Sequence, residues 1–346
     1  MEMLSNFTML LAKRDLWTIL IDLFTKWIPN YGWMIIVFTI ALKLVLMPLD
    51  VYQRASTKKQ QKYMAVMQPE LQEIQAKYGN DRQKINEETA KLYKKHNVSM
   101  GGMCLPLLLT FGVSILVFFT LFSSLRSYGN DKLNSSYRVL DNVYVQTQAS
   151  EEYINATTDE EKEQILEVAV ENTYKELGNQ NSWLWVKNVW KSDTKTSQFV
   201  SFEDYAKYYG ITGDDKVAAQ ARYEAITTMI DDGKTQPNGY YVLLILSVVI
   251  TFVSQLISVK LTQPKGQKLN TMNKVMIGLM PLLMMSMALS SNVIFTLYII
   301  ANSVMSTIIT TSLTLITKPK NGKDEDVVLS KKNVEVVEYS RVCDNV

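Results

Sequence analysis

The fold of this chain is decided first by residues 31–49, which read YGWMIIVFTIALKLVLMPL. A helix of this length rises about 28 Å, close to the hydrocarbon thickness of a bilayer. Lys43 is the only charged residue in the stretch. A run this long and this apolar is typical of a transmembrane helix, so the chain is predicted to cross a membrane here.

Four further stretches are long and free of charged residues. The five predicted spans are residues 31–49, 104–125, 240–259, 275–291 and 293–316. The last two meet at Asn292, so they are expected to form a tight helical hairpin. Because helices satisfy all their backbone hydrogen bonds internally, the sequence predicts an all-α, polytopic membrane protein with five transmembrane helices.

Charged residues predict the orientation of these spans. Residues 51–103 carry ten Lys or Arg against five Asp or Glu, and residues 260–274 carry four Lys and no acidic residue. Short loops on the cytoplasmic side of bacterial membranes are enriched in Lys and Arg. Both segments are therefore predicted to be cytoplasmic, whereas residues 126–238, with twelve basic and nineteen acidic residues, are predicted to lie outside.

Five predicted segments surround the spans. They are an N-terminal extracellular amphipathic helix in 1–30, a cytoplasmic helical hairpin in 50–103, an extracellular inserted domain in 126–239, a cytoplasmic loop in 260–274 and a cytoplasmic tail in 317–346. The N-terminus is then outside a bacterial plasma membrane and the C-terminus inside. No basic and apolar leader with a small-residue cleavage site opens the chain, so we expect no cleavable signal peptide.

An amphipathic pattern precedes the first span. The polar residues Asp15, Thr18, Asp22, Thr25 and Lys26 recur at helical spacing, and apolar residues cover the remaining face. This pattern favours a helix lying in the membrane interface. A short helix packed on the spans is an equally good interpretation, and the two are compatible.

The loop after the first span has the pattern of two antiparallel helices. Apolar residues repeat at steps of three and four between Met64 and Tyr78 and again between Ile85 and Leu92, on either side of the turn 79–81. This predicts a coiled-coil hairpin, in which Pro69 restarts or kinks the first arm. Its basic residues Lys58, Lys59 and Lys62 either form a solvated face or recruit anionic headgroups, the ribosome or an incoming chain.

The extracellular segment shows two helix starts. Thr158 is followed by Glu161, and Ser201 by Asp204, in each case before an apolar run. Its length predicts a small helical domain rather than a loop. A tryptophan cluster at Trp183, Trp185 and Trp190 favours a domain core or an interfacial belt over a ligand site.

Lys43 is the most informative residue, because a Lys near the centre of a span costs about 2.5–3.5 kcal/mol on insertion scales. It is therefore expected to face a polar cavity. The alternative is that Lys43 reaches for the cytoplasmic interface at Asp50, roughly 10 Å along the helix, which exceeds the comfortable reach of a Lys side chain. Gln255 and Asn302 are further polar candidates, whereas the Ser and Thr residues of the spans favour hydrogen bonds to their own helices.

Catalytic and metal-binding patterns are absent from the sequence. His96 is the only histidine, Cys104 and Cys343 are predicted to be free thiols, and no nucleotide-binding loop or nucleophile elbow occurs. We therefore expect neither a cofactor nor a metal, and no enzyme activity. A small-anion transporter or channel is the rival class, which predicts internal repeats and a path through both leaflets. The two halves of the chain show no repeat.

Several motifs resemble the YidC/Oxa/Alb family of membrane protein insertases. They are IIVFTIALKLVLMPL at 35–49, the run from QRAST to KKHNVS at 53–99, GGMCLPLLL at 101–109, MPLLMM at 280–285 and LYIIANSVMSTIIT at 297–310. The resemblance covers residues 15–125 and 240–316. The inserted domain and the tail fall outside it.

The resemblance implies five helices around a hydrophilic groove that opens to the cytoplasm and lipid and is sealed on the outer side. Lys43 matches a groove residue that is usually Arg, and Thr39, Gln255 and Tyr298 match other groove positions. Ile299 stands where the family often has an aromatic residue. The implied partners are client membrane proteins and the lipid bilayer, with the ribosome and a secretion channel as further candidates and no nucleic-acid specificity.

The charge distribution makes a testable prediction about topology. A cysteine placed near Ser182 should react with an impermeant thiol reagent on intact cells, whereas one near Gln72 should react only after the cells are opened. Labelling is read from the mass of the purified protein. The reverse pattern would contradict the predicted orientation.

Overall fold

A computed structural model describes residues 16–96, 100–194, 197–230, 237–262 and 271–316. For residues 54, 57–66, 100–111, 262, 271–274, 276 and 280 it describes the backbone only. In these ranges the chain forms helices and two isolated β-bridges, Trp183–Val186 and Ser197–Pro237, and no strand. The all-α prediction is confirmed.

Eleven helices lie in the described part of the chain. They are α1 (Leu16–Trp27), α2 (Tyr31–Tyr78), α3 (Arg82–Lys95), α4 (Met100–Gln148), α5 (Glu151–Asn155), α6 (Asp159–Asn181), α7 (Phe202–Tyr209), α8 (Asp214–Ile230), α9 (Val242–Thr262), α10 (Thr271–Leu289) and α11 (Val293–Ile316).

The first predicted span and the first arm of the hairpin form one helix, α2, of 48 residues. Asn30 caps its start by accepting a hydrogen bond from the Trp33 amide at 3.2 Å. The helix runs through Pro69 without ending, so the predicted restart at this residue is wrong; a proline removes one hydrogen bond but leaves the remaining turns intact. It ends at Gly79, whose φ of 55° is readily adopted by glycine.

The second predicted span likewise continues without a break into the inserted domain. Helix α4 has 49 residues and rises about 70 Å. Charged residues begin at Arg126, yet the helix continues to Gln148. The change from an apolar to a charged sequence therefore marks a change of surroundings and not the end of a helix.

The inserted domain packs α6, α7 and α8 against the second half of α4. Its buried core contains Tyr137, Leu140, Tyr144, Leu166, Val170, Phe199, Val200, Phe202, Tyr205, Ala206, Ala219 and Ile226. Both predicted helix starts are confirmed: Thr158 and Glu161 form a reciprocal capping box, and the Ser201 side chain accepts a hydrogen bond from the Asp204 amide.

Four helices contain segments long and apolar enough to cross a membrane: Tyr31–Gln53, Gly112–Gln148, Val242–Leu261 and Val293–Ile316. The remaining predicted span falls on α10, whose apolar stretch, Ile277–Leu289, is shorter. The described part of the chain thus supports a polytopic membrane protein by length and composition.

Helix α1 packs on the bundle through both apolar and polar contacts. Ile21 is fully buried among residues of α2 and α4. Thr18 lies 3.4 Å from the Ser124 hydroxyl, and Asp22 accepts a hydrogen bond from Tyr128 at 2.7 Å. Part of the polar stripe therefore faces α4, as expected for a helix packed on the spans.

The spans are tied to the inserted domain by residues 183–193, which we call the cap segment. The carbonyls of Val189 and Lys191 accept hydrogen bonds from Ile294 at 3.0 Å and Val293 at 2.8 Å, the first amides of α11. Asp193 lies at the start of α9. The first turn of a helix has amides without partners inside the helix, so the cap segment supplies them from outside.

Asp193 is buried, and its carboxylate caps α9. It accepts hydrogen bonds from the amides of Tyr240, Leu243 and Leu244 at 3.0, 2.6 and 3.4 Å. The carboxylate also opposes the partial positive charge at the start of the helix. Asp193 therefore fixes the beginning of this span to the inserted domain.

Removing this carboxylate should destabilise the fold. Asp193→Ala leaves buried amides without an acceptor, which costs about 1–3 kcal/mol, so we expect a lower Tm in detergent micelles. Asp215→Ala is the control, because this side chain is exposed in the first turn of α8. Equal Tm losses for the two variants would contradict the role assigned to Asp193.

Candidate functional site

The helix bundle has two unequal ends. We call the end that carries residues 126–239 the domain end and the end that carries residues 50–96 the hairpin end. Helices α2, α9 and α11 each begin at the domain end, and α11 packs against both α2 and α9. Residues on these three helices can therefore be compared by their distance from the domain end.

The five predicted groove residues lie at similar depth in these three helices. They are Thr39 and Lys43 on α2, Gln255 on α9, and Tyr298 and Asn302 on α11. Counted from the first residue of each helix, they lie about 8 to 20 Å from the domain end. All five therefore lie within about 20 Å of the domain end, on α11 and on the two helices that pack against it.

Thr39 and Lys43 lie one turn apart on the same face of α2. Thr39 is fully buried, and its hydroxyl donates a hydrogen bond to the Ile35 carbonyl at 2.6 Å. It is thus satisfied within its own helix, as expected for threonines in apolar spans. Lys43 lies one turn beyond Thr39, the last buried residue of this stretch of α2.

The Lys43 ammonium reaches towards the hairpin end. Its Nζ lies 3.6 Å from Oδ2 of Asp50, and the two side chains are 16% and 28% exposed. Asp50 lies too far along the helix for the Lys43 side chain to reach it alone. The Asp50 side chain projects back along the helix and covers part of this distance.

Polar side chains on α9 contact α11 directly. The hydroxyls of Thr251 and Ser303 lie 3.4 Å apart, and the Ser254 hydroxyl donates to the Ser303 carbonyl at 3.4 Å. These hydroxyls join helices, as small polar residues commonly do in membranes. Gln255 follows Ser254 on α9 and is half-buried. Its polar side chain is longer than those of the neighbouring Ser and Thr residues.

On α11, Tyr298 and Asn302 are one turn apart but differ in exposure. Tyr298 is buried and stacks on Phe295, with ring centroids 6.0 Å apart. Ile299, at the position where the resembling family often has an aromatic residue, is also buried. Asn302 is half-buried, so α11 loosens from the core at the depth of Lys43.

Burial falls from the domain end to the middle of the bundle. On α11, residues 293–299 are all buried and residues 302–308 are half-buried or exposed, whereas Ile309 and Thr310 are buried again. On α2, residues 34, 35, 38 and 39 are buried, and none of residues 40–53 that the structure describes is buried. The bundle is closed at the domain end and more open around Lys43 and Asn302.

The two arms of the hairpin are joined by a small apolar contact and by one glutamate with two partners. Met67 and Leu92 are buried against each other's helices. Glu70 accepts hydrogen bonds from Lys95 at 2.8 Å and contacts the His96 ring at 3.1 Å. These contacts, chiefly the one with Lys95, lower the pKa of Glu70. The side chains of Lys58, Lys59 and Lys62 lie outside the described residues.

Sequence reasoning missed the residues that close the domain end. Asn292 donates to the Leu125 carbonyl at 3.1 Å, and Asn238 donates to the carbonyls of Asn188 and Ser192. A usable signal was present, because Asn and Asp next to apolar runs are frequent helix caps. The part of the chain that the structure describes holds no group of three His, Cys, Asp or Glu side chains suited to a metal.

This architecture defines a class: a helical protein that crosses the membrane several times. The family model described as 60Kd inner membrane protein matches residues 23–320. The chain belongs to this family, and is therefore a multi-pass inner membrane protein.

Curated relatives match a shorter stretch. Proteins named membrane protein insertase YidC are 42% identical over 102 residues in Fusobacterium nucleatum, 38% over 109 in Caldanaerobacter subterraneus and 41% over 106 in Nitratidesulfovibrio vulgaris. These stretches cover 30%, 32% and 31% of this chain and 46%, 49% and 18% of the relatives. The chain thus matches at most about half the length of these three relatives.

The hairpin contact predicts a pH dependence. Because the pKa of Glu70 is lowered below its usual 4.5, its stabilising contribution is present above that pH and is lost as the pH falls through the lower pKa. Hydrogen exchange of residues 67–96, corrected for intrinsic rates, should show reduced protection at acidic pH. The variant Glu70→Gln lacks the carboxylate, so its protection should be reduced even at neutral pH.

Glu73 supplies the control for this measurement, since it is exposed on the same helix. Glu73→Gln is expected to leave protection at neutral pH unchanged. A Glu70→Gln protein with the protection and pH profile of the unaltered chain would show that the hairpin does not depend on this carboxylate.

Proposed function

We propose that this protein is a membrane insertase. It draws short hydrophilic tails of client membrane proteins into a polar groove between its spans and releases their hydrophobic segments into the bilayer, without nucleotide hydrolysis. Its family membership and the names of its relatives support this function. An insertase family is not a family of catalytic enzymes.

The observation that carries the proposal is the difference in burial between the domain end and the middle of the bundle, where Lys43 and Asn302 lie in looser packing. A cation at this depth attracts an acidic tail, and polar groups at Gln255 and Asn302 spare that tail part of the hydrocarbon crossing. The closed domain end keeps the groove from becoming a continuous pore.

Asp50 gives Lys43 a partner while no client is bound. A client carboxylate can exchange with Asp50 for the ammonium, so Lys43 is not left as an unpaired charge before or during the exchange. Both side chains are partly exposed, and a water-filled groove would keep their interaction weak enough to be displaced. When no client is bound, Asp50 thus occupies the position beside Lys43 that a client carboxylate takes.

Partitioning of the client supplies the free energy. Each Leu or Ile that enters lipid contributes about 0.3–0.6 kcal/mol, and an acidic residue moving to the positive side gains up to about 2.3 kcal/mol per 100 mV. In this proposal the hairpin faces the cytoplasm and the inserted domain faces outside. Lys58, Lys59 and Lys62 form the recruitment surface for clients, and the ribosome and a secretion channel are candidate partners.

Substitutions of Lys43 test the electrostatic role. Lys43→Arg keeps the charge and should retain insertion, whereas Lys43→Met keeps an unbranched chain without charge and should impair it. The loss should be greatest for clients whose translocated tails carry Asp or Glu. Insertion yields are measured at equal insertase abundance for two clients that differ only in tail charge.

The variant Asp50→Asn distinguishes two roles of Lys43: attracting client tails, and stabilising α2 through the ion pair with Asp50. If Lys43 works by attracting clients, removing its resident partner should preserve or increase insertion of the acidic-tailed client. If the ion pair merely braces α2, Asp50→Asn should reproduce the loss seen in Lys43→Met. The latter result, or equal losses for both clients, would refute the electrostatic mechanism.

A further inference from the structure

A tight turn in the cap segment exposes two large apolar side chains. Trp183 and Val186 exchange backbone hydrogen bonds, both 2.9 Å long, and Leu184 and Trp185 form the tip between them. Leu184 is 65% exposed and Trp185 is 41% exposed. Leu184 also has a φ of 52°, which non-glycine residues rarely adopt.

Folding of the domain alone does not explain this tip. A non-glycine residue in the left-handed region has a steric backbone cost that glycine would avoid. Neighbouring exposed leucine and tryptophan side chains on a strained turn typically mark a surface that binds something apolar. The position of the turn indicates what these two side chains bind.

The turn lies directly on the start of the span in α2. The Trp183 ring packs against Trp33 with centroids 5.7 Å apart, and it covers Gly32 so closely that a Cβ there would overlap the ring. Asn30 fixes this arrangement, because its amide donates to the carbonyls of Asn179 at 3.0 Å and Ser182 at 2.8 Å while its oxygen caps α2.

Other exposed aromatic residues occur at the same end of the bundle. Trp27 precedes α2, Trp33 lies in its first turn, and Tyr240 precedes α9; all three are largely exposed. Trp and Tyr are enriched where spans leave the hydrocarbon, because their rings are apolar and their N–H or O–H groups remain hydrated. The tip of the turn continues this set of side chains.

We propose that the turn 183–186 is a lipid anchor. Leu184 and Trp185 insert between the headgroups and upper acyl chains of the leaflet at the domain end, and they hold the inserted domain against the membrane surface. Their burial in the interface compensates for the backbone cost at Leu184. The anchor is independent of which side of the membrane the domain occupies.

A spin label at the tip tests this proposal. Leu184→Cys is labelled in a chain carrying Cys104→Ser and Cys343→Ser, and is reconstituted into phosphatidylcholine–phosphatidylglycerol vesicles without any client. Collisions of the label with oxygen, which concentrates in lipid, are compared with collisions with a water-soluble nickel chelate. The matched control is Ile154→Cys, because Ile154 is 66% exposed and follows α4, whose end lies about 35 Å beyond Leu125.

The anchor predicts an oxygen-to-nickel collision ratio severalfold higher at position 184 than at position 154. Equal ratios would overturn the proposal, since the tip would then be in water. Low collision rates with both reagents would also overturn it, because they would indicate a contact with protein, such as a second copy of the chain. A label at Trp185→Cys repeats the measurement should Leu184→Cys fail to reconstitute, and the same outcomes apply.

Discussion

The packing of this bundle depends on how the first amides of α9 and α11 find hydrogen-bond acceptors. A helix that starts beside hydrocarbon cannot leave these amides to water, and an unpaired buried amide costs more than the hydrogen bond itself contributes. The Asp193 carboxylate and the carbonyls of Val189 and Lys191 provide the acceptors. The two spans can therefore begin at one level, closed by chain from the inserted domain.

The same contacts account for the asymmetry of the bundle. Large rings gather where the helices begin: Trp190 lies between Tyr31 and Tyr128, and Phe295 contacts Phe122. Such side chains fill space that small residues would leave open. Nearer the middle of the bundle, α9 and α11 contact each other through the hydroxyl residues Thr251, Ser254 and Ser303. These side chains are small, so they fill less of the space between the helices than the rings do. The domain end of the bundle is thus a packed core, and the packing is looser around Lys43 and Asn302.

Much of this architecture was predictable because the patterns concerned are local. Long apolar runs, the capping box at Thr158 and the turn at Gly79 are each encoded within a few residues. The Lys43–Asp50 pair was half predicted: both residues were identified, but their joint reach was not considered. The cap segment was missed because Asp193 meets α9 about fifty residues away in sequence, and no local pattern reports such a contact.

The unbroken course of α2 has a mechanical consequence. From Tyr31 to Tyr78 it is a rod of about 70 Å, fixed at one end in the core and bearing the hairpin turn at the other. Lys43 lies near the point where this rod leaves its fixed end. The covalent path from the hairpin to Lys43 is thus a single helix, and Pro48 is its weakest point, because the proline ring removes one backbone hydrogen bond between Lys43 and the hairpin.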